Sequence, residues 1–331
     1  MNCRLPIDCV LAITYRCNAR CGMCDIWKIK DFVEVPLSEY AKLPSSLRDV
    51  NISGGETFLR ADLVEVVRTV VKACPKARIV ISSNGFSTGL IVQRMKDILK
   101  IKPDIGVAIS IDGIGQMHDD LRGIPGAFEK CMATVKALQG LGMTNLRLAF
   151  TMMRLNTAHM SKVYDLAQEL GVQFAHSFTQ SSDFYFGGKD NADNTPRKDI
   201  MENEYNTLIK KELASWNVKR WLRAYFAHGM KNFALKRGMV LTPAPGRDFF
   251  FMDPSGDIFP SVIHNVIMAN IRDVKSRKDF PKFWCSKKME TKRKQVDALK
   301  IPAWMICIVR SAIVRHPFRV GWWIFKNKFF A

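Results

Sequence analysis

The first half of the chain alternates short β-rich runs with helical stretches, and this alternation limits the folds open to it. Six strands are predicted, at Val10–Thr14, Val50–Ser53, Arg78–Ser83, Ile105–Ile111, Leu146–Thr151 and Val172–His176. Helical patterns separate them, near Leu37–Leu47, Ala61–Ala73, Gly89–Leu99, Ala127–Leu141 and Thr157–Leu170. Strands joined by crossover helices pair in parallel and carry the helices outside. Right-handed crossovers curl such a sheet into a full or partial barrel, so an α/β class is predicted.

The pattern changes after about residue 178. A polar loop, a helical region and a β-hairpin are predicted there, at Ser177–Arg197, roughly Asp199–Lys236 and Leu241–Pro260. Turn residues at the middle of the last segment support the hairpin. We therefore predict two units, a core domain over residues 1–235 and a smaller α+β extension over residues 236–331.

Composition excludes several classes of protein. The chain has 331 residues, of which 47% are hydrophobic and 24% charged, values typical of a packed globular protein rather than a disordered or collagenous one. Arg4, Asp8 and Arg16 interrupt any signal-peptide core at the N-terminus. Nine cysteines without an export signal favour a reducing compartment, where thiols bind metal, catalyse or pack. A cytoplasmic location is expected.

Three cysteines follow the first predicted strand within eight residues. They are Cys17, Cys21 and Cys24, and thiolates at such spacing suit zinc or an iron–sulfur cluster. A structural zinc usually takes four protein ligands, and no fourth Cys or His lies nearby. Three ligands would leave one iron of a four-iron cluster open to another group. Packing of the three cysteines as small apolar side chains is the alternative.

This C-x3-C-x2-C spacing resembles that of the radical S-adenosylmethionine (SAM) superfamily. Three later segments are similar to motifs of the same family: Asn51–Glu56, Ser82–Gly85, and Ser110–Gly113 followed by His118, Arg122 and Gly123. Each segment falls at the end of a predicted strand, in the family's order. The resemblance implies a partial (β/α)6 TIM-like barrel with its site at the carboxyl ends of the strands.

The resemblance also implies cofactors and chemistry. Cys17, Cys21 and Cys24 would ligate one [4Fe–4S] cluster, and SAM would complete the open iron. An electron from an external flavodoxin- or ferredoxin-like donor would cleave SAM reductively. The resulting 5′-deoxyadenosyl radical would take a hydrogen atom from the substrate, while the protein positions the cofactor.

Family positions carry over to several residues as expected SAM contacts. Gly54, Gly55 and Glu56 would hold the methionyl amine, with the glycines letting the backbone approach closely. Arg122 would pair with the methionyl carboxylate, and Met23 would lie beside adenine. For Arg122 the alternative is a surface arginine in a loop.

Four further residues are weaker candidates for the same pocket. Ser110 and Asp112 would lie near the ribose or the carboxylate, and Ser83 and Asn84 would border the pocket. Turn chemistry or helix capping is the alternative for such residues. No catalytic residue is identified; His176 is the best polar candidate, with a structural histidine as the alternative. Other side chains expected to line the cavity are Thr151, Gln180 and Tyr185.

The predicted hairpin resembles part of the SPASM or twitch extension of the same superfamily. That extension has a cysteine ligand for an auxiliary cluster where this chain has Ser261. Because serine is a poor iron ligand beside thiolate, we predict a SPASM-like scaffold without an auxiliary cluster. The alternative is a cluster completed by Cys285, Cys307 and unusual ligands. Cys3, like Cys9, Cys74 and Cys131, is expected to pack as a small apolar residue.

The C-terminal tail concentrates positive charge. The formal net charge is +19, and 16 basic against 4 acidic residues place +12 within Arg272–Ala331. If the end is helical, an aromatic stripe forms, flanked by Arg319 and Lys326 on one side and Lys328 on the other; its members are Phe318, Trp322, Phe325 and Phe329. Such a helix is typical of anionic membrane surfaces, here the inner face. Docking of the stripe on the barrel is the alternative, and nucleic acid is not an expected partner because no recognition motif accompanies the charge.

Three functions follow from these patterns. The first is a radical SAM enzyme acting on an unidentified substrate, anionic or lipid-linked, which would explain the tail. The second is a peptide-modifying maturase of the SPASM kind, disfavoured by the missing thiols. The third is a non-catalytic iron–sulfur or zinc scaffold, disfavoured because a scaffold needs no nucleoside pocket.

Overall fold

A computed structural model describes residues 3–330. Its strands are β1 Asp8–Thr14, β2 Asp49–Gly54, β3 Arg78–Ser83, β4 Gly106–Ser110, β5 Leu146–Met152, β6 Gln173–Phe178, β7 Phe249–Met252, β8 Asp257–Phe259 and β9 Ala269–Asn270. Its α-helices are α1 Leu37–Tyr40, α2 Leu63–Ala73, α3 Thr88–Ile101, α4 Gln116–Arg122, α5 Ala127–Gly140, α6 Met160–Glu169, α7 Lys198–Ala214, α8 Val218–Ala234, α9 Phe280–Trp284, α10 Lys287–Leu299, α11 Ile306–Arg315 and α12 Pro317–Phe329. None of the helices within residues 3–330 has both the length and the apolar character needed to cross a membrane.

The strands form one sheet in the order β6-β5-β4-β3-β2-β1-β7-β8-β9. All neighbouring pairs from β6 to β1 are parallel, as crossover helices require. The six predicted strands agree with the structure within two residues at each end. The expected partial (β/α)6 TIM-like barrel is confirmed.

The two faces of the parallel strands differ in character. One face carries aliphatic side chains such as Leu11, Ile52 and Ile81, which are fully buried and pack with the helices in the main core. The opposite positions of the strands are polar and only half-buried, at Asn51, Ser53, Ser82, Ser110, Thr151 and Ser177. This alternation gives the barrel an apolar shell and a polar interior.

One predicted helix is shorter than expected. The helical pattern at Leu37–Leu47 yields only one turn, α1, which ends at Tyr40. Pro44 lies within the predicted span, and a proline cannot continue the hydrogen-bond ladder of a helix. The predicted helical region at Asp199–Lys236 is two helices, α7 and α8, with Asn217 capping the second through its side chain.

The C-terminal strands continue the barrel sheet. β7 pairs in parallel with β1, with Phe250 beside Cys9, and the hairpin of β7 and β8 is antiparallel as predicted. The turn of this hairpin therefore lies at the same end of the sheet as the loop after β1. The division into residues 1–235 and 236–331 stays a prediction.

The amino ends of the strands are closed by α11. Arg310 of this helix pairs with Asp8 at the start of β1 and with Asp49 at the start of β2. Arg315 pairs with Asp248, immediately before β7, at 2.5 Å. These ion pairs fix α11 across the end of the sheet opposite the cysteine loop.

One cysteine expectation is wrong. Cys3 and Cys285 are bonded to each other, with their Cα atoms 5.6 Å apart. Cys3 was expected to pack as a thiol, and Cys285 was the proposed partner of Cys307 in an alternative cluster. The pairing links residues 282 positions apart, and a reducing compartment would not favour it.

Candidate functional site

The cysteine loop begins directly after β1 and is held by the end of α4. The backbone N–H of Arg20 donates to Arg122 O at 2.9 Å, and that of Gly22 donates to Leu121 O at 3.0 Å. Cys21 is buried, whereas Cys17 and Cys24 are half-buried. The three thiols therefore sit at the mouth of the barrel, beside the helix that carries Arg122.

Gly54 and Gly55 allow the end of β2 to approach the end of β1. A Cβ atom would lie 2.3 Å from Thr14 O at Gly54 and 2.4 Å from Arg16 O at Gly55, and Gly54 has a φ of +132°. The N–H of Gly55 donates to Thr14 O at 2.8 Å. A side chain at either position would collide with the backbone that leads from β1 to the cysteines. The fold therefore requires glycine at both positions, whether or not a ligand binds. Contact of the two glycines with a ligand stays a prediction.

Glu56 links this segment to the end of β3. Its buried carboxylate accepts hydrogen bonds from Ser83 Oγ at 2.9 Å, Asn84 N at 2.7 Å and Phe58 N at 3.1 Å. Burial raises the pKa of Glu56, while these donors act in the opposite direction. Asn84 in turn donates from Nδ2 to Asn18 Oδ1 at 2.6 Å, inside the cysteine loop. The sequence placed Glu56, Ser83 and Asn84 in one pocket, and the structure brings them together.

Arg122 forms a buried ion pair with Asp112. Its Nη2 lies 2.6 Å from Asp112 Oδ2, and its Nη1 lies 3.6 Å from Cys21 Sγ. The neighbouring carboxylate and thiol raise the pKa of Arg122, so the guanidinium stays charged despite its burial. Arg122 is thus not a surface residue. Among residues 3–330 its Nε has no hydrogen-bond partner, which leaves one buried donor available to an anion.

Asp112 is held in place by two buried residues. The sequence did not single out either of them as a site residue. Asn156 donates from Nδ2 to Asp112 O at 2.8 Å, and the N–H of Asp112 donates to His118 Nδ1 at 3.0 Å. Burial lowers the pKa of His118 to about 3, so the ring is neutral and can accept that bond. His118 belonged to a recognised motif; no local pattern points to Asn156, because its partner is 44 residues away.

Met23 belongs to a small apolar cluster beside the thiols. The other members of this cluster are Ala19, Cys21, Leu121 and Met153, with Phe86 and Met117 at its edge. The polar loop after β6 covers this side: Asn191 Nδ2 donates to Met23 O at 3.0 Å, and Asp25 N donates to Phe186 O at 2.9 Å. The position of adenine beside Met23 stays a prediction, and the side chains around Met23 are apolar.

The candidate pocket and substrate residues on the strands lie on two different faces of the barrel sheet. Ser110 and Thr151 lie on the half-buried interior face. His176 is on the other face of β6, between Phe174 and the helical residues Tyr205 and Phe226, with ring centroids 5.2–5.8 Å apart. Burial lowers its pKa to about 3. His176 is therefore a packing residue, and the neighbouring Ser177 occupies the interior face.

Tyr185 and Gln180 belong to the loop after β6. Tyr185 is buried, and its hydroxyl donates to Gly54 O at 3.4 Å. Its ring packs edge-on against Phe251 of β7, with centroids 4.6 Å apart. Tyr185 thus connects the end of β2 to the C-terminal hairpin. Gln180 is half-buried, and its Oε1 has no hydrogen-bond partner among residues 3–330.

The donor set is suited to an iron–sulfur cluster, because three thiolates are ligands of the kind that hold one. Within residues 3–330 no three Cys, His, Asp or Glu side chains converge on a single metal-ion position. Burial raises the pKa of the Cys17 thiol to about 11 and that of Cys24 to about 12, and it also raises the pKa of Cys21. A bound cluster would displace these protons. The unpaired Nε of charged Arg122 fits the carboxylate of SAM.

At the C-terminal hairpin, packed side chains occupy the position where the auxiliary-cluster cysteine of the extension was expected. Ser261, where the extension's cysteine was expected, is fully buried, and its Oγ lies 2.7 Å from His264 Nδ1. Phe184 stacks on Phe259 beside it, with centroids 4.0 Å apart. Cys307 is half-buried against the same apolar cluster. With Cys285 bonded to Cys3, the alternative auxiliary cluster loses one of its two thiols.

Comparison with known proteins identifies the N-terminal half. Residues 11–170 match the family model described as Radical SAM superfamily. The chain thus carries a radical SAM domain, and the expected family of enzymes is confirmed. That superfamily uses a [4Fe–4S] cluster and SAM, acts on a substrate and needs a reductant.

Curated relatives share part of the chain. An AdoMet-dependent heme synthase of Methanosarcina barkeri is 24% identical over 75% of this chain and 71% of its own length. A second AdoMet-dependent heme synthase, of Oleidesulfovibrio alaskensis, is 26% identical over 70% of this chain and 60% of its own. The sporulation killing factor maturation protein SkfB of Bacillus subtilis is 29% identical over 50% of this chain and 40% of its own. For the last two, the chain spans less than two thirds of the relative.

Solved structures share the fold. Native anSMEcpe with bound AdoMet and the Cp18Cys peptide has a TM-score of 0.61 at 15% identity, covering 92% of this chain and 88% of that one. Streptococcus suis SuiB has a TM-score of 0.56 at 15% identity, covering 78% of this chain and 61% of that one. The likeness to anSMEcpe extends well beyond residue 170, so it includes C-terminal elements.

Proposed function

We propose that this chain is a radical SAM enzyme in which Cys17, Cys21 and Cys24 ligate a single [4Fe–4S] cluster. One observation carries the proposal: three thiols share one loop at the barrel mouth, and Cys21 lies 3.6 Å from a charged, buried arginine that has a donor left unpaired within residues 3–330. Asp112 neutralises the charge of Arg122 but leaves its buried Nε without a partner in the described part of the chain, and a non-catalytic scaffold would have no use for such a donor. A [4Fe–4S] cluster held by Cys17, Cys21 and Cys24 would supply the electron for reductive cleavage of SAM.

The chain's own residues bind and orient the cofactor. Arg122 would receive the methionyl carboxylate at its Nε while Asp112 holds the guanidinium in place through Nη2. Glu56 keeps the ends of β2 and β3 together, so that the amine site beside Gly54 and Gly55 is preorganised. These assignments extend to Met23, Ser83, Asn84 and Ser110 as the border of the same pocket.

The loop after β6 excludes water from the thiols. Asn191 ties it to Met23, and Phe186 ties it to Asp25, while Tyr185 fills the space between β2 and β7. A radical intermediate formed at the mouth would be sheltered there from solvent. The electron comes from an external one-electron donor of the flavodoxin or ferredoxin type.

We propose an anionic substrate. The two AdoMet-dependent heme synthases among the relatives support an anionic substrate. Fe-coproporphyrin III synthase of Methanosarcina barkeri, which is 31% identical over 47% of this chain, supports it as well. Tetrapyrrole substrates of that kind carry carboxylates, and the chain carries a formal charge of +19 that would attract them. A lipid-linked substrate is the other form the sequence suggested.

Peptide modification is the second candidate. SkfB and the subtilosin biosynthesis protein AlbA, both of Bacillus subtilis, support it by sequence, the latter at 28% identity over 54% of this chain. The filled site around Ser261 distinguishes this chain from a maturase that needs an auxiliary cluster. We also propose that the basic tail brings the enzyme, as a peripheral cytoplasmic protein, to the inner membrane face.

Anaerobic reconstitution tests the proposal. With iron, sulfide, dithionite and SAM, the full chain should release 5′-deoxyadenosine, and Cys21→Ala should release none. Cys74→Ala is the matched control, because Cys74 is a buried free thiol outside the loop, and it should retain the activity. A chain that binds iron but releases no 5′-deoxyadenosine would be a scaffold, and the proposal would fail.

A further inference from the structure

The last helix packs on the barrel by one face only. Val320 and Ile324 are buried, and Trp323 stacks on His228 of α8 with ring centroids 4.6 Å apart. Tyr225 meets the same tryptophan edge-on at 5.3 Å. The inner face of α12 is therefore fully used in packing against α8.

The opposite face of α12 is the aromatic stripe. Phe318 is 92% exposed, Trp322 67%, Phe325 46% and Phe329 51%. The alternative in which this stripe docks on the barrel is therefore wrong for the described residues. Exposed aromatic side chains on this scale mark an interaction surface rather than ordinary surface variation. Ala331, the end of the predicted tail, lies outside the described residues.

A second element joins the stripe. Trp216, in the turn between α7 and α8, is 76% exposed, and its ring centroid lies 6.2 Å from that of Phe329. Lys328 connects the two elements: its Nζ lies 4.4 Å from the centroid of Trp216 and donates to Ser215 O at 3.0 Å. Lys328 thus flanks the stripe and also connects α12 to the turn that carries Trp216.

Charge around this surface is uniformly positive. Residues 215–236 and 301–330 contain no Asp or Glu. Arg319 and Lys326 on α12 and Lys219 beside Trp216 are exposed, and none of the three forms an ion pair within residues 3–330. Tryptophan and phenylalanine bordered by unpaired cations are the pattern of side chains that enter the interface of an anionic bilayer.

The surface lies at the end of the barrel opposite the thiols. Arg315, two residues before α12 begins, is tied to Asp248 ahead of β7. Near Trp216, Arg223 of α8 donates to Gln173, the first residue of β6. Both anchors are at the amino ends of strands, whereas Cys17, Cys21 and Cys24 follow the carboxyl end of β1.

We propose that Trp216 and the α12 stripe form one composite docking surface for an anionic bilayer, and that docking leaves the mouth of the barrel facing away from the membrane. The inference rests on the membrane association proposed above and adds a second anchor and an orientation. In this orientation, substrate and electron donor reach the mouth from the aqueous side. A headgroup embedded in the docked membrane would not reach the thiols.

Co-sedimentation of the full chain with vesicles tests the composite surface. Binding to vesicles rich in phosphatidylglycerol should exceed binding to phosphatidylcholine vesicles and should weaken with salt. Trp216→Ser should reduce the affinity by about tenfold, as should Phe325→Ser, because each loses a large apolar contact. Arg319→Gln combined with Lys326→Gln should flatten the salt dependence.

Leu155→Ser is the matched control. Leu155 is a 70% exposed apolar residue that follows β5 at the mouth end, so its loss should leave vesicle binding unchanged. All variants should cleave SAM in solution like the unmodified chain, which separates this test from that of the proposed function. Wild-type vesicle binding by Trp216→Ser, or equal weakening by Leu155→Ser, would overturn the proposal. So would dimers that depend on Trp216 without any vesicle binding, since the surface would then serve a second copy.

Discussion

Two segments that follow strands of the same sheet have opposite chemistry. The cysteine loop follows β1, and Ser261 follows β8, the second strand of the C-terminal hairpin. Around the cysteine loop, the three cysteines form no disulfide within residues 3–330, and Arg122 Nε has no hydrogen-bond partner there. Around Ser261, the hydroxyl pairs with His264, and aromatic rings occupy the remaining space. A region that binds a ligand has buried polar groups left unpaired for that ligand. A region that binds none pairs its buried polar groups within the protein.

This contrast predicts that cluster binding depends on the thiols of the cysteine loop and not on the thiol of Cys307. Cys21→Ala should abolish cluster binding, because two remaining thiolates cannot hold a cubane, and iron should fall from about four per chain to near zero. Cys307→Ala should keep the iron of the unmodified chain. Iron and sulfide analysis after reconstitution measures both. Iron lost equally from the two variants would remove the distinction between the regions.

The ion pair beside the cysteine loop should dominate the stability of that region. Asp112→Asn leaves the charge of Arg122 buried without a counter-ion, and the free energy of unfolding should fall by about 3–5 kcal/mol. Urea denaturation of the metal-free chain measures this change. Asp97→Asn is the control, since it breaks an exposed pair with Lys100 and should leave the midpoint in place. A shift no larger than the control's would mean that Arg122 finds another partner.

Substitution of Ser261 in the C-terminal hairpin should lower the free energy of unfolding less than substitution of Asp112 does. Ser261→Ala removes the hydroxyl that pairs with His264 Nδ1, and leaving that buried nitrogen unpaired should lower the free energy of unfolding by about 1–3 kcal/mol. The same urea measurement applies. Cluster iron should stay the same, because Ser261 is predicted to hold none. A drop in iron on this substitution would show that the hairpin does take part in cluster binding.

The smallest effect concerns pH. Burial lowers the pKa of His264 below its ordinary 6.5, so the folded state binds fewer protons than the unfolded state. His264 should therefore stabilise the fold above about pH 6.5, and this contribution should decline as the pH falls. His264→Gln, which keeps an acceptor and a donor but does not titrate, should lose less stability between about pH 7.5 and 5.5 than the unmodified chain. Equal losses would mean that His264 has the same pKa in the folded and unfolded states, contrary to this prediction.

The sequence indicated what local patterns encode. Alternation of apolar positions located the six barrel strands, and three cysteines in one short loop located the site. Pairs distant in sequence were beyond these patterns, because burial and partners depend on the assembled fold. Cys3 with Cys285, Asn156 with Asp112 and Lys328 with Ser215 belong to this class. The role of His176 was left open for the same reason, since periodicity alone did not say which face of β6 meets the helices.

Electron paramagnetic resonance of the dithionite-reduced chain, read with an iron count before and after addition of SAM, is the most direct test. Ligation by Cys17, Cys21 and Cys24 alone predicts about four irons, one reduced-cluster signal, and a change in that signal when SAM occupies the open iron. A signal indifferent to SAM would mean that no coordination position is open. About eight irons would mean that the hairpin region holds a second cluster after all.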